Sequence, residues 1–534
     1  MEGIGGFEFN QRFPRFVTPN VASFGYGLFL AINATSIWGG SFPLLPMDIQ
    51  GFGLLATFSL AQSAAFCCSF LLCVIGVYWI PQFTKHISVI GCTLLLFLGS
   101  VSLIAPLYIP LLMLPLMIAG GVFLGVGSAG FLALWQRVFA SQKAEQGGLD
   151  VILGTGVSAF VYVVLHVIPL AVAAFMIAFV FVPLSALCLI LATRAVDFQQ
   201  PMFKDEPHSN RQVYQLVLKN LWRSALCVGG LTFLDGMTRA LALDDPAQGG
   251  IVNLLSMGGA LVASLTLIFL WRRSTFRFDT ILSFRTIFPL VATSLLALPF
   301  LGTPYLQVFS GVIHMFSTFA VMIMVIQCAQ ASRDNGIDPV FIYGFFGLIV
   351  GFMQSGGFLS GYVSALVVAP GFSQLAIIAL FSTWLLAVVL YSVRGHIQDN
   401  PSELRERARV SSIEFIAFEP DTDDVMRNGH AEPSWAQLIR LRKPREKPSE
   451  PTAASDEHYR DRLAKQCVAL AHHFRLSTRE AEITEFIARG NSVAHIAKTL
   501  IISENTVRFH SKNIYMKLSI HKRQDLIALL EKFV

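Results

Sequence analysis

Residues 476–534 read LSTREAEITEFIARGNSVAHIAKTLIISENTVRFHSKNIYMKLSIHKRQDLIALLEKFV, and the spacing within this run divides it into helices. Ser477 followed three residues later by Glu480 predicts a capping box, in which hydroxyl and carboxylate each satisfy a backbone amide at a helix start. Ile483, Phe486 and Ile487 then fall at i, i+3 and i+4 on one stripe, and Gly490 supplies a left-handed stop. A second start at Ser492 opens a helix expected to bury Val493, Ile496, Ala497 and Leu500 before the tight turn Ile501-Ile502. A third helix starts at Ser503. On it Val507, His510, Ser511, Ile514 and Leu518 share one face, and Asn505, Arg508, Phe509, Lys512 and Met516 share the other. That second face suits a DNA major groove, where cations meet guanine acceptors or phosphates, amides meet adenine and a ring packs on thymine methyls. It suits a solvated surface helix equally well.

A resemblance separates the two. Leu476-Ser477-Thr478-Arg479-Glu480, the Ile496-Ala497 pair, the set Ser503, Thr506, Val507 and His510, and Ile514-Tyr515 with Lys517-Leu518 resemble the LuxR-type helix-turn-helix signature, in register over roughly 60 residues. The resemblance implies DNA contacts from Arg508, Phe509 and Lys512, with Asn505 on the same face and Ser503, Thr506 and Lys517 toward phosphate. Phe509 stands where a small or β-branched residue is expected. A last helix, Gln524 to Phe533, places Leu526, Ile527, Leu530 and Phe533 on one stripe; the resemblance implies that this helix makes dimer contacts.

The rest of the chain is built for another solvent. Only 14% of the 534 residues are charged, against roughly a quarter in soluble domains, and the deficit is local. Residues 1–394 hold 17 Lys or Arg and 14 Asp or Glu, whereas the last 140 residues hold 22 and 20. Apolar runs of bilayer length recur near 22–46, 53–80, 87–108, 110–135, 150–168, 170–193, 218–243, 249–271, 280–301, 305–330, 339–366 and 372–394, which makes twelve. The segment before them lacks a cleavable signal pattern and is expected to stay on the chain.

Cations collect on one side of these runs, at Arg12 and Arg15, Lys85, Arg137 and Lys143, Arg194 through Arg223, Arg272, Arg273 and Arg277, Arg333, and Arg394. The opposite loops carry Asp48, Asp244 and Asp245, with Arg239 as the exception. The positive-inside rule then puts both termini in the cytoplasm, so the DNA reader lies in the compartment of a bacterial chromosome. The polar loop at about 194–217 splits the runs six and six, which resembles the major facilitator fold in topology. That family's basic, glycine-containing loop between the second and third spans has no counterpart at Tyr78 to His86.

The expected fold is therefore all-α: a polytopic helical membrane bundle of 6+6 spans followed by a soluble LuxR-type domain. Residues 1–20 are a cytoplasmic segment, 21–394 the membrane domain, 395–455 a charged, proline-punctuated tether and 456–534 the reader. Short local structure within the tether is expected around Trp435 to Leu441. All eight cysteines except Cys467 lie in apolar runs, with no metal or redox spacing.

Ionisable residues inside spans are costly and mark candidate sites. Asp235 and Arg239, at i and i+4 on the seventh run, either form a structural ion pair or belong to a ligand site. His166, His314, Gln354 and Asn33, with Trp38, complete the candidates, and for either histidine a hydrogen-bonded core role is the ordinary reading. The glycine-rich stretches Gly120 to Gly130 and Gly351 to Gly361 are surfaces for close packing or for sliding. No nucleophile–base pair, phosphate loop or metal cluster stands out, so neither an enzyme nor a cofactor is expected. The reading is a one-component transcription regulator whose membrane domain senses a ligand or membrane signal. Its partners are double-stranded DNA, the lipid bilayer, an unidentified small molecule and a second copy joined through the C-terminal domain. The alternative is a major-facilitator transporter with a regulatory tail, which uptake by membrane vesicles would separate. Reporter fusions after Arg394 and within Asp244-Asp245 should report opposite sides of the membrane; the same side for both would overturn the twelve-run topology.

Overall fold

The computed structural model describes residues 19–36, 51–366 apart from 81–82, 199, 206, 208–209, 243–245 and 274–275, then 374–393, 412–415 and 466–530 apart from 468–469 and 472. Trp38, Asp48, Asp244, Asp245, Trp435 to Leu441 and Phe533 lie outside the described residues. The chain forms two compact units.

In the larger unit a helix stands at each of the twelve apolar runs. They are α1 (Val21–Ser36), α2 (Phe52–Trp79), α3 (Val89–Ile104), α4 (Met113–Ser141), α5 (Ala144–Val167) and α6 (Leu170–Met176, continuing through Val182–Arg194). After the central loop come α7 (Arg211–Ala242), α8 (Pro246–Arg273), α9 (Ser283–Gly302), α10 (Pro304–Asn335), α11 (Pro339–Leu366) and α12 (Gln374–Val393). Among the described residues ten are long and apolar enough to cross a bilayer. The exceptions are α1, described over 16 residues, and α7, which is long enough but carries Arg211, Lys219, Arg223, Asp235 and Arg239. This unit is polytopic. Its surface shows Leu72, Leu111, Phe300, Phe352 and Trp384, while Asn33, Gln62, Asp235, Arg239 and His314 are buried, the reverse of a water-soluble protein.

Breaks in the helices have local causes. In α6 the Val182 N–H reaches the Ile177 carbonyl, five residues back, in a π-helical turn (Ile177–Phe181) ahead of Pro183, which has no N–H to offer. Between α9 and α10 the chain turns at Gly302, whose φ of 70° is open to glycine and strained for other residues.

Helix pairing repeats when six is added to each number. Helix α1 packs on α5 as α7 packs on α11, α2 on α4 as α8 on the α9–α10 segment, and α3 on α6 as the α9–α10 segment on α12. The two groups meet through α2 with α11 and α5 with α8. An element the sequence reading missed follows α12: β2 (Ser412–Phe415) pairs antiparallel with β1 (Phe276–Asp279), with Phe276 opposite Phe415 and Asp279 opposite Ser412. Part of the stretch read as tether is thus paired to the α8–α9 loop. Four residues with a single alternation carry too little pattern to announce a strand.

The α7–α11 crossing is the closest described approach. A Cβ on Gly236 would overlap the Gln354 carbonyl, and one on Gly357 would overlap the Phe233 carbonyl. Gly357, within the glycine-rich stretch 351–361, therefore serves close packing here. Gly357→Ala should cost about 1–3 kcal/mol through overpacking and lower the thermal unfolding midpoint of the detergent-solubilised chain. Gly356→Ala, whose Cβ would meet only the Phe233 ring at 3.9 Å, is the matched control and should leave the midpoint unchanged.

The C-terminal helices are α13 (Thr478–Ala488), α14 (Val493–Leu500), α15 (Glu504–Lys517) and α16 (Arg523–Leu530). The Ser477–Glu480 capping box is present in full. Gly490 takes a φ of 91° at the expected stop. Of the four residues expected inside from α14, Ile496 and Ala497 are buried, while Val493 and Leu500 are half-buried. Ile501 closes that helix with a φ of 53°, a left-handed conformation unusual for a β-branched residue.

Candidate functional site

Two places bring chemistry together, one among the membrane helices and one among the C-terminal helices. In the membrane unit a cavity of about 130 Å³ is lined by residues of both six-helix groups. Asp235 and Arg239, one turn apart on α7, form an ion pair with Arg239 Nη2 2.9 Å from Asp235 Oδ2. The other carboxylate oxygen, Oδ1, lies 2.9 Å from His314 Nδ1 on α10. A carboxylate only accepts, so this contact requires the imidazole proton on Nδ1. The 3.0 Å approach between Arg239 Nη2 and His314 Nδ1 is then two donors converging on one anion. Gln354 Nε2 on α11 stands 3.5 Å from Oδ2. Three helices are tied to one carboxylate, and both residues of the ion pair are at most 4% exposed. A buried charge persists only when paired and hydrogen-bonded in this way.

Five of the six described membrane residues singled out in the sequence line this cavity: Asp235, Arg239, His314, Gln354 and Asn33. Asn33 on α1 accepts from Ser128 Oγ at 2.7 Å and donates to the Phe29 carbonyl at 3.2 Å. His166 is exposed near the end of α5 and lies off the cavity wall. Gln62, buried on α2 and lining the same cavity, escaped the sequence reading; an uncharged amide in an apolar run carries no signal comparable to a charge.

Among the C-terminal helices the two faces of α15 separate as the 3.6-residue period requires. Val507, His510, Ile514 and Leu518 are buried, whereas Asn505, Arg508, Lys512 and Met516 are exposed and Phe509 is half-buried. Ser503 caps the helix, its Oγ accepting from the Thr506 N–H at 3.1 Å and sharing a 2.7 Å hydrogen bond with Thr506 Oγ1. Arg479 Nη2 donates to the last carbonyl of α14, Leu500 O, at 2.7 Å while its Nη1 pairs with Glu482 at 2.8 Å.

Residues 475–530 match the model of the family described as bacterial regulatory proteins, luxR family. They form a LuxR-type helix-turn-helix domain. The chain is 38% identical over 56 residues to the Fimbriae Z protein of Salmonella typhimurium, covering 10% of this chain and 27% of that one. It is 42% identical over 52 residues to Regulatory protein SdiA of Escherichia coli, covering 10% and 22%. The chain thus spans about a quarter of the length of these curated relatives. Over 70% of this chain, the structure is similar to a bacterial homologue of the iron transporter ferroportin in an outward-facing state (98% of that chain, TM-score 0.48, 15% identity). It is likewise similar, over 70%, to the human organic anion transporter MFSD10 (98% of that chain, TM-score 0.44, 13% identity).

Within the LuxR-type domain two expectations meet structural facts. Lys517, assigned by the resemblance to phosphate, has its Nζ 2.6 Å from Glu480 Oε2, the carboxylate that also closes the capping box of α13. Among the described residues of the stripe proposed for dimer contacts, Leu526 and Leu530 are buried and Ile527 is exposed. Leu526 and Leu530 share the face of α16 that packs on α13, which makes them interior, while Ile527 lies off it.

One titratable group outside the membrane helices stands apart. Asp338 precedes Pro339 at the start of α11, and its Oδ1 accepts from the Val340 and Phe341 N–H groups at 2.8 and 3.3 Å. Burial nevertheless pushes its carboxyl up to about 6, against the lowering effect of these amides and of Arg137. The folded state therefore holds a proton that the unfolded chain releases between about pH 4 and 6. The stabilisation is complete below pH 4 and is lost as pH rises through 6. Asp338→Asn should flatten the unfolding free energy between pH 4 and 6 relative to wild type, by on the order of 2 kcal/mol. Parallel pH profiles of the two proteins would contradict this.

Proposed function

We propose that the chain is a membrane-embedded one-component transcription regulator. Its twelve helices cross the membrane as 6+6 spans with both termini in the cytoplasm, the cavity around Asp235, Arg239 and His314 binds a small molecule, and occupancy controls the LuxR-type domain. One observation supports this reading above the others. A LuxR-type helix-turn-helix domain with an exposed face of Asn505, Arg508 and Lys512 is joined, in a single chain, to a polytopic unit with a charged, buried cavity. A polypeptide that holds both needs no separate messenger between signal and promoter.

In this reading Arg508, Lys512 and Asn505 meet DNA, with Phe509 packing beside them and Ser503 and Thr506 at the phosphate-facing helix start. Lys517, held by Glu480, approaches phosphate with its charge already shared. The domain acts as a dimer, since one module reads few base pairs, and Ile527 is the exposed residue of the described apolar stripe left for that contact.

The test is DNA binding by the full-length chain in nanodiscs, on fragments recovered by crosslinking in the native cell. Lys512→Ala, if it removes a phosphate contact, should weaken binding to all fragments and reduce the slope of log K against log salt by about 0.9. Arg508→Ala, if it removes a base contact, should cost about 1–3 kcal/mol and relax sequence preference. Unchanged affinity in both variants would sink the assignment.

A further inference from the structure

From the unmet hydrogen bonds of the membrane cavity we infer that its ligand is a small organic anion of the carboxylate class, held by Arg239 from one six-helix group and Gln62 from the other. This inference rests on the ligand-binding reading of that cavity.

The asymmetry of donors and acceptors carries it. Among the described residues of the cavity wall, the buried side-chain polar atoms left without a partner are Arg239 Nε, Arg239 Nη1 and Gln62 Nε2. All three are nitrogen donors. The Asp235 carboxylate and the Asn33 amide oxygen are engaged: Asp235 Oδ1 takes His314, Oδ2 takes Arg239 and Gln354, and Asn33 Oδ1 takes Ser128. A guanidinium stays charged and accepts nothing, so what it lacks is an acceptor, and an ionised acceptor makes the stronger bond.

Each unmet buried donor destabilises the empty cavity, the more so for a charged group. A carboxylate entering it satisfies donors already in place. An ammonium ligand would instead face the Arg239 charge with the Asp235 oxygens already taken. Phe66, Phe70, Met324, Tyr343 and Val350 line the same cavity, so the anion is expected to carry an apolar or aromatic body. Because Gln62 lies on α2 and Arg239 on α7, such a ligand touches both groups at once. Its occupancy then favours the arrangement in which the two walls stand at bonding distance.

The experiment uses the full chain in nanodiscs and follows its thermal unfolding midpoint with benzoate and phenylacetate, their amides benzamide and phenylacetamide, and the amines benzylamine and phenethylamine. At least one carboxylate should raise the midpoint in a saturable manner, while its matched amide and amine do not. Arg239→Gln should weaken the apparent affinity about ten- to a hundredfold. Because that variant strands Asp235, the double variant Asp235→Asn with Arg239→Gln serves as a charge-balanced companion. Gln62→Leu, on the opposite wall, should weaken binding without touching the ion pair. The inference is overturned if an amine or amide stabilises as well as the carboxylates, if neither carboxylate does, or if all three variants keep wild-type affinity. Carboxylate binding without any change in target transcription would instead fail the regulatory reading and leave the ligand class standing.

Discussion

A peptide N–H facing hydrocarbon has no water to bond, and that constraint shapes the described helices between Val21 and Val393. Each segment must satisfy its own backbone, so the described structure there is almost wholly helical, and departures come where a group is missing or a turn is needed. Pro183 removes a donor and the helix answers with a π turn; Gly302 adopts a conformation closed to most residues and lets one helix become two. Serines and threonines return their hydroxyls to carbonyls of their own helices, as Ser100 does to Leu96 and Thr383 to Ala379, and so remain tolerable in an apolar setting.

The same scarcity of water determines how charge is held. Asp235 gathers partners from its own helix, from α10 and from α11, and the crossing of α7 with α11 is close enough for this because Gly236 and Gly357 lie at it. Truncating one partner of such a cluster leaves an uncompensated charge, whereas replacing the pair by apolar residues removes the penalty and the attraction together. The cluster is thus a weak argument for stability. Its place on a cavity wall, with donors of Arg239 still unmet, is the argument for a ligand.

In the LuxR-type domain, water is plentiful and the economy differs. Glu480 closes the capping box of α13 and receives Lys517 from the end of α15, so one carboxylate serves a helix end and a tertiary contact. Arg479 does the parallel task for α14. These polar ties orient α15 while its own polar face stays exposed.

How much of this was legible in the chain depends on the range of the interaction. Capping at Ser477, the stop at Gly490 and the two faces of α15 are set by residues within one or two turns of each other, and the sequence alone determined them. So too were the apolar runs, because hydropathy is a property of each segment by itself. The pairing of Asp235 with Arg239 was readable for the same reason, being one helical turn apart. Contacts that join distant segments were not readable. His314 and Gln354 could be named as candidates, yet nothing in their neighbourhoods showed that they meet the carboxylate of Asp235. Gln62 left no trace at all. The face of Leu526 and Leu530 was visible, but whether it met another copy or the domain's own α13 depended on where α13 lay. Tertiary structure decided these points, because a buried hydrogen bond between residues a hundred positions apart is specified by the packing of whole helices and leaves no local pattern behind.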